Sequence, residues 1–519
     1  MYECPNCGGN LKFHIPSQQM FCAFCESKFD PYSMKKETDT VDGDCFETNV
    51  FSCPQCGGEM ISGDNDATSF CSYCGSANIL SSRIGREKRP KYIIPFQVSK
   101  ETCKNAYRRK MMKAFFAPKE LKNPDFIDGF RGIYMPYWSY RISQKGTIGF
   151  KGKTEKRKGD YIYTDHYDLT GELDAGYEGY SYDASSTFYD NISEALGPYD
   201  IKERKDFTPA FLSGFYAETA DVKSDVYRED AEELAVNVTF EKVKSNPVFR
   251  KHGIQEGSSR KKTAEQLRTD CEGADSAMFP VWFMSYRNGD RIAYATVNGQ
   301  TGKVVTDMPV DKKRFFISSF LLAVPLFFLL NLFLTLRPMV LLAYSAVLAV
   351  ISAYIYNNEL TGICKLETNE EDRGLQMKNP GRKKPKRANK QSTNTLGNTI
   401  LISILLCTIP MAAVAAIGDI VVWIVVAIAM CILCVSGFKK YKKLESLNGG
   451  YGFLFSAGAV AVGGFLRLWK PVSDLWYYGG VVLILLTVVF ILFDLIRNYN
   501  RLAMRKLPQF DKKGGDDNA

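Results

Sequence analysis

The chain has 519 residues and a formal net charge of +9, too long for one ordinary domain, so several folding units are expected. An overall apolar share of 45% would suit a soluble protein, but it averages a mixed, polar stretch up to about residue 310 with long apolar runs beyond Lys312-Lys313-Arg314. Charge divides at the same place, about −3 before residue 311 and about +12 after it, so the basic excess belongs to the apolar part and argues against a nucleic-acid partner.

At the N-terminus, MYECPNCGGN has neither the charged nor the apolar region of a signal peptide. Two segments then repeat with matching intervals: Cys4-Pro-Asn-Cys7-Gly-Gly with Cys22-Ala-Phe-Cys25, and Cys53-Pro-Gln-Cys56-Gly-Gly with Cys71-Ser-Tyr-Cys74-Gly. A C-x-x-C knuckle bends tightly enough to aim both sulfurs at one point, and a glycine after it accepts the left-handed backbone that the bend needs. Two knuckles complete a tetrahedral thiolate site with no open position, which is structural rather than hydrolytic. The expectation is two structural zinc ions, one held by Cys4, Cys7, Cys22 and Cys25 and one by Cys53, Cys56, Cys71 and Cys74. Iron is the alternative, because rubredoxins use a similar four-cysteine set. Paired knuckles suit a reducing compartment better than a disulfide framework. Cys45, Cys103, Cys271, Cys364, Cys407, Cys431 and Cys434 are scattered and read as free thiols.

The stretch from about 90 to 310 reads as α+β. Strands are expected at Tyr92–Phe96, Tyr134–Ile142, Thr147–Phe150, Tyr161–Leu169, Met278–Tyr286 and Arg291–Val297. Helices are expected at Ser99–Ala117, ended by Pro118, at about Ala220–Lys244 and at Lys262–Cys271. An aromatic-Pro-x-Trp pattern occurs around Trp138 and again around Trp282, as two equivalent strands of a duplicated sheet would show; proline inside such a strand suggests an edge or a bulge. The aromatic run from Tyr161 to Tyr189 reads as core and hairpin positions, and the basic residues of Lys151–Lys158 and of Arg108, Arg109, Lys110 and Lys113 as solvated faces. The Walker-like string Gly299-Gln-Thr-Gly302-Lys303-Val304 lacks the first glycine and the magnesium-binding hydroxyl, so it reads as a turn begun by Asn298-Gly299. The histidines are His14, His166 and His252; Asp165-His166 is the one acid/base pair worth naming, and no catalytic motif is present, so no enzyme activity is expected.

About 20 apolar residues cross a bilayer, and six spans are predicted: Phe315–Leu334, Met339–Tyr356, Asn398–Ile417, Ile420–Phe438, Tyr451–Leu466 and Trp476–Ile496. Lysine and arginine cluster on one side of these, at Lys312–Arg314, Gly381–Arg387, Lys439–Lys443 and Arg497–Lys506, which puts the N-terminal half and the C-terminus in the cytoplasm. Asp419 falls in an outer turn, Asp494 near the inner end of the last span, and no transport pathway is evident.

The knuckles resemble rubredoxin-like zinc ribbons of the TFIIB type. Together with IYMPYWSY (Ile133–Tyr140), FPVWFMSY (Phe279–Tyr286) and the apolar C-terminal half, the layout resembles multi-pass membrane proteins of Gram-positive bacteria described as TFIIB-type zinc ribbon-containing, some of them likened to primosomal protein N′. The resemblance implies no defined activity, and the defective Walker-like string removes the helicase analogy. The expected organisation is multi-domain: ribbon 1 over 1–40, ribbon 2 over 41–85, an α+β cytoplasmic domain over 86–311, a bundle of about six transmembrane helices over 312–500 and a cytoplasmic tail over 501–519. The function expected is a non-catalytic scaffold that recruits a cytosolic or membrane protein to the bilayer. The alternatives are membrane-tethered nucleic-acid binding and a transporter with regulatory ribbons.

Overall fold

A computed structural model of the protein describes residues 2–34, 45–62, 71–76, 81–253, 265–333, 337–367, 372–374, 419–443 and 451–508. The expected span Asn398–Ile417, the basic run Gly381–Arg387 and Cys407 lie outside the described residues.

Strands β1 (Tyr2–Glu3), β2 (Asn10–His14), β3 (Gln19–Cys22) and β4 (Lys28–Phe29) make a small antiparallel sheet, the first ribbon. The second ribbon is built differently. Its strands β5 (Cys45–Ser52), β6 (Glu59–Ser62) and β7 (Ser81–Lys88) belong to the large sheet that also holds β8 (Tyr92–Ile93), β9 (Arg131–Lys158), β10 (Tyr161–Asp183), β11 (Lys205–Asp206), β12 (Tyr216–Ala217), β13 (Arg268–Asn288), β14 (Arg291–Asn298), β15 (Val304–Thr306) and β16 (Arg505–Lys506). The link is β6, which pairs β12 at Tyr216↔Ser62 and Ala217↔Ile61.

Helix α1 (Lys100–Lys113) starts where expected, with Ser99 Oγ accepting from Thr102 N–H at 3.2 Å. Helices α2 (Asp190–Leu196) and α3 (Arg228–Ser245) follow. The helix expected at Lys262–Cys271 is not formed over its second half: Arg268–Cys271 begins β13 and pairs Lys145–Ile142 of β9. Non-local pairing overrides the local helical composition there.

The sheet is internally duplicated. β12 runs parallel to β9 at Tyr216↔Ile133, and β8 runs parallel to β13 at Tyr92↔Ala277. Glu218 N–H donates to Tyr134 O (2.9 Å) as Ile94 N–H donates to Met278 O (2.9 Å). Trp138 Nε1–H donates to Val222 O (2.7 Å) as Trp282 Nε1–H donates to Val98 O (2.8 Å). The two motif strands are antiparallel neighbours, with Pro136 opposite Met278 and Pro280 opposite Tyr134. Neither proline is at an edge, contrary to expectation. Each sits where the neighbouring strand changes, β10 to β12 beside Pro136 and β8 to β14 beside Pro280, and the missing N–H falls in that gap. The carbonyls beside it are served by Ala184 N–H and Gly299 N–H, both at 2.8 Å.

Side-chain alternation along β9 and β13 sends Tyr134, Met278 and Trp282 to one face, packed with Leu11, Phe13 and Met20 of the first ribbon. Ile133, Val281 and Phe283 go to the other, packed with the cysteines of the second. The ribbons thus cover opposite faces of one sheet.

Beyond α4 (Lys312–Phe333) come α5 (Pro338–Glu367), α6 (Asp419–Lys443), α7 (Tyr451–Trp469) and α8 (Asp474–Leu502). Among the described residues four segments are long and apolar enough to cross a membrane: Pro338–Cys364, Trp423–Lys440, Gly452–Trp469 and Asp474–Arg501. They match four of the six expected spans. The first expected span falls on α4, which is helical and presents Ile317, Phe320, Leu321 and Leu322 outward. Leu342, Tyr356, Phe453 and Ile484 form the buried centre of the bundle, while Ile428, Ile432, Phe465 and Leu486 stay exposed on its outside. An apolar exterior of this extent suits hydrocarbon rather than water.

Candidate metal centres

Each knuckle closes by the same pair of backbone bonds. In the first, Cys4 N–H donates to Gly9 O (2.7 Å) and Gly8 N–H to Cys4 O (2.8 Å). The equivalents are Cys22 with Ser27 and Glu26, Cys53 with Gly58 and Gly57, and Cys71 with Ser76 and Gly75. The residue after the second cysteine is left-handed in all four, with φ of +73° at Gly8 and Gly57, +67° at Gly75 and +58° at Glu26. Glycine takes that conformation without a Cβ penalty, and Glu26 is the one departure.

The knuckles bring together the eight cysteines that the spacing singles out, four and four, with the Sγ atoms of each set within 4.8 Å of one another. Cys4–Cys25 and Cys7–Cys22 are 3.5 and 3.4 Å apart, Cys53–Cys74 and Cys56–Cys71 3.8 and 3.7 Å. A tetrahedron of sulfurs around an ion at about 2.3 Å has edges of about 3.8 Å. The donor set and its dimensions therefore fit a four-coordinate, thiophilic metal ion at each site. Bound there, such an ion would cross-link two knuckles; with four sulfurs in place it has no position open to water or substrate.

The surroundings differ. Cys53, Cys56, Cys71 and Cys74 are all buried, whereas Cys7 and Cys25 reach the surface. Phe24, 80% exposed, stands beside the first site over Gly9. At the second, Tyr73 O–H donates to the buried carboxylate of Glu218, and Tyr294 O–H donates to Tyr73 O at 2.9 Å. Ionisation is graded in both clusters. Hydrogen bonds from the Ser27 hydroxyl and backbone bring Cys25 down to about 6. Contact with Cys71 brings Cys53 down to about 6, contacts with Cys56 and Cys71 bring Cys74 to about 2, and Cys71 is pushed up by Cys53 and Cys56. Four adjoining thiols resist becoming four thiolates until a cation shares their charge.

The other candidate residues do not converge. Asp165 and His166 are exposed, adjacent on β10 and so on opposite faces, across from Thr154 and Lys153. The Walker-like string is the β14–β15 turn, with Asn298 Oδ1 accepting from Gln300 and Thr301 N–H. Tyr161 and Tyr163 project from the β9–β10 tip, while Tyr182 and Phe188 are core.

A curated relative from Bacillus subtilis (strain 168), described as "Uncharacterized protein YdjG", is 32% identical over 318 residues, 60% of this chain and 91% of the relative. The chain belongs to the YdjG family. No protein-family model matches it, and no solved structure does. For this member of the YdjG family, the chemistry on offer is that of the two thiolate clusters: metal capture and the rigidity that follows. Sequence reasoning did not find the buried Tyr73–Glu218–Tyr294 surroundings of the second cluster, because no local pattern marks a contact between residues so far apart in the chain.

Proposed function

We propose that the protein is a zinc-stabilised, non-catalytic scaffold that spans the membrane about six times and presents its N-terminal half to the cytoplasm, where it recruits a protein partner. The observation that carries this reading is the closure of both cysteine sites on a sheet fastened to the bundle. β16, just past α8, pairs β14 at Arg291↔Lys506 and Ile292↔Arg505, and the Arg291 guanidinium donates to the carbonyls of Arg501 (2.8 Å) and Met504 (2.6 Å). Asn500 exchanges hydrogen bonds with Val310 at 2.6 and 2.8 Å. Such a platform holds a binding face at a fixed height over the bilayer. The face best suited to a partner is the first ribbon, which resembles TFIIB-type ribbons: Phe24 and Tyr32 are exposed, and a cleft of about 660 Å³ lined by Gln18, Tyr32, Tyr92 and Arg204 opens beside it.

Site-specific photocrosslinking from position 24 in the full-length protein in cells tests the reading. One defined cytosolic protein should be trapped, and its membrane-bound fraction should fall when Cys4 and Cys22 are both replaced by serine. Crosslinks only to nucleic acid, together with binding that weakens steeply with salt, would promote the nucleic-acid alternative. An unchanged membrane fraction of the trapped protein would end the recruitment reading.

A further inference from the structure

β10 is the outermost strand on its side of the sheet. It pairs β9 from Tyr161↔Lys158 to Asp183↔Tyr137, and among the described residues no strand lies on its other edge. In an antiparallel ladder, alternate residues turn both N–H and C=O away from the paired neighbour. From Tyr161 to Tyr177 those groups have no backbone partner among the described residues, along a strand of about 55 Å at about 3.3 Å per residue. Edges of that length are usually blunted by proline, a bulge or lysine. Here the one register shift comes only at Glu178/Tyr180, and Tyr161–Asp183 contains no proline, lysine or arginine. Past Lys145, where pairing with β13 ends at Arg268, the hairpin is two-stranded among the described residues, an arrangement that a third strand stabilises.

Side chains along this edge alternate between two environments. Leu169 and Leu173 are half-buried against the cluster of Phe150, Phe240 and Leu267, whereas Asp168, Glu172 and Asp174, on the opposite face, are exposed. Asp174 and Glu178 reach Lys145 and Arg204 at 3.1 and 3.2 Å, in pairs open to solvent that contribute little. Lys242 stands over the Tyr177 ring, so the acidic stretch of the edge is Asp165–Asp174. Gly176 has open space where a Cβ would stand, and a glycine inside a strand often marks the close approach of another backbone. We propose that the outer edge of β10, from Tyr161 to Tyr177, takes up an extended basic peptide as an added strand. Main-chain hydrogen bonds hold the peptide and its side chains set the sequence that fits. On one face, alternate apolar residues extend the row of Leu169 and Leu173; on the other, lysine or arginine meets Asp168, Glu172 and Asp174. The same acids repel the matching edge of another copy, which keeps the edge from self-pairing without covering it. Neither Phe24 nor the first ribbon belongs to this edge, so it binds whether or not that ribbon recruits a protein.

The probe is a fluorescent synthetic peptide of alternating lysine and valine, added at low salt to the full-length protein in neutral detergent. It should bind, and hydrogen exchange resolved by mass spectrometry should slow at alternate amides between Tyr161 and Tyr177. A peptide of alternating lysine and proline has the same charge but cannot form a ladder, and should bind about tenfold more weakly or worse. Glu172 lies opposite uncharged Thr147, so Glu172→Lys leaves the hairpin intact. That variant should weaken the lysine–valine peptide about fivefold and favour a glutamate–valine peptide by a similar factor. Equal binding of the valine and proline peptides, or binding without slowed exchange at the edge, would reduce the contact to charge and overturn strand addition. Slow edge amides in a dimeric protein without peptide would show a second copy in the edge, which overturns it as well. So would failure of the lysine–valine peptide to bind.

Discussion

Cys7 and Cys25 reach solvent, whereas all four thiols of the second cluster are buried against the sheet. Ligand exchange needs a competing group to approach the metal–sulfur bond, so the two sites should differ in lability more than in geometry. With the protein loaded with zinc, a chromogenic chelator should withdraw one equivalent quickly and the second only as the sheet unfolds. Cys25→Ser should abolish the fast phase and leave melting of the sheet nearly unchanged. Cys74→Ser should abolish the slow phase and destabilise the whole α+β half, because metal-binding energies on the order of 10 kcal/mol act there as folding energy. A single phase releasing both equivalents together would contradict the distinction. The grouping of the eight cysteines into two sets of four was legible because its intervals are short and the knuckle is a local structure. The difference in burial was not: it depends on Tyr294 and Glu218, which reach Tyr73 from far along the chain.

The same contrast holds for the elements. Strands with continuous apolar and aromatic runs, such as Met278–Tyr286, and the helix capped by Ser99 were readable, because pattern and cap are local. The end of Lys262–Cys271 was misread because its partner, Lys145–Ile142, lies more than a hundred residues away. The repeated aromatic-Pro-x-Trp pattern did carry the duplication, but not why proline is needed; that became clear only once each proline was seen beside a change of neighbouring strand. Trp282 is the more buried of the two indoles, and its Nε1–H serves Val98 O in the core. Trp282→Phe leaves that carbonyl unsatisfied and should cost about 1–3 kcal/mol, with Trp138→Phe costing less because its surroundings are partly exposed. Gly132→Ala should cost about as much by overpacking, since its Cβ would fall 2.5 Å from Phe215 Cδ1, in a ring stacked on Phe96. Chemical denaturation followed by tryptophan fluorescence orders these variants, and equal losses for the two tryptophans would show that burial does not decide the cost.

At the scale of the whole molecule, the apolar half was readable from length and composition, but its connection to the sheet was not. A two-residue strand such as Arg505–Lys506 has no signature, and the hydrogen bonds from Arg291 to Arg501 and Met504 span over two hundred residues. This small element closes a long loop: the sheet leads into α4 through Val310, and the end of α8 returns to Val310 and β14. Together with the contacts of Arg373 to Asp190 and Asp230, it ties the bundle to the sheet. Deleting residues 504–519 should speed amide exchange along Arg291–Ile292 and lower the melting temperature of the sheet, with the helicity of the bundle unchanged. The same deletion should leave tryptic protection of Arg373 intact, because Asp190 and Asp230 hold that segment independently. Loss of that protection would mean that the attachments form one cooperative unit.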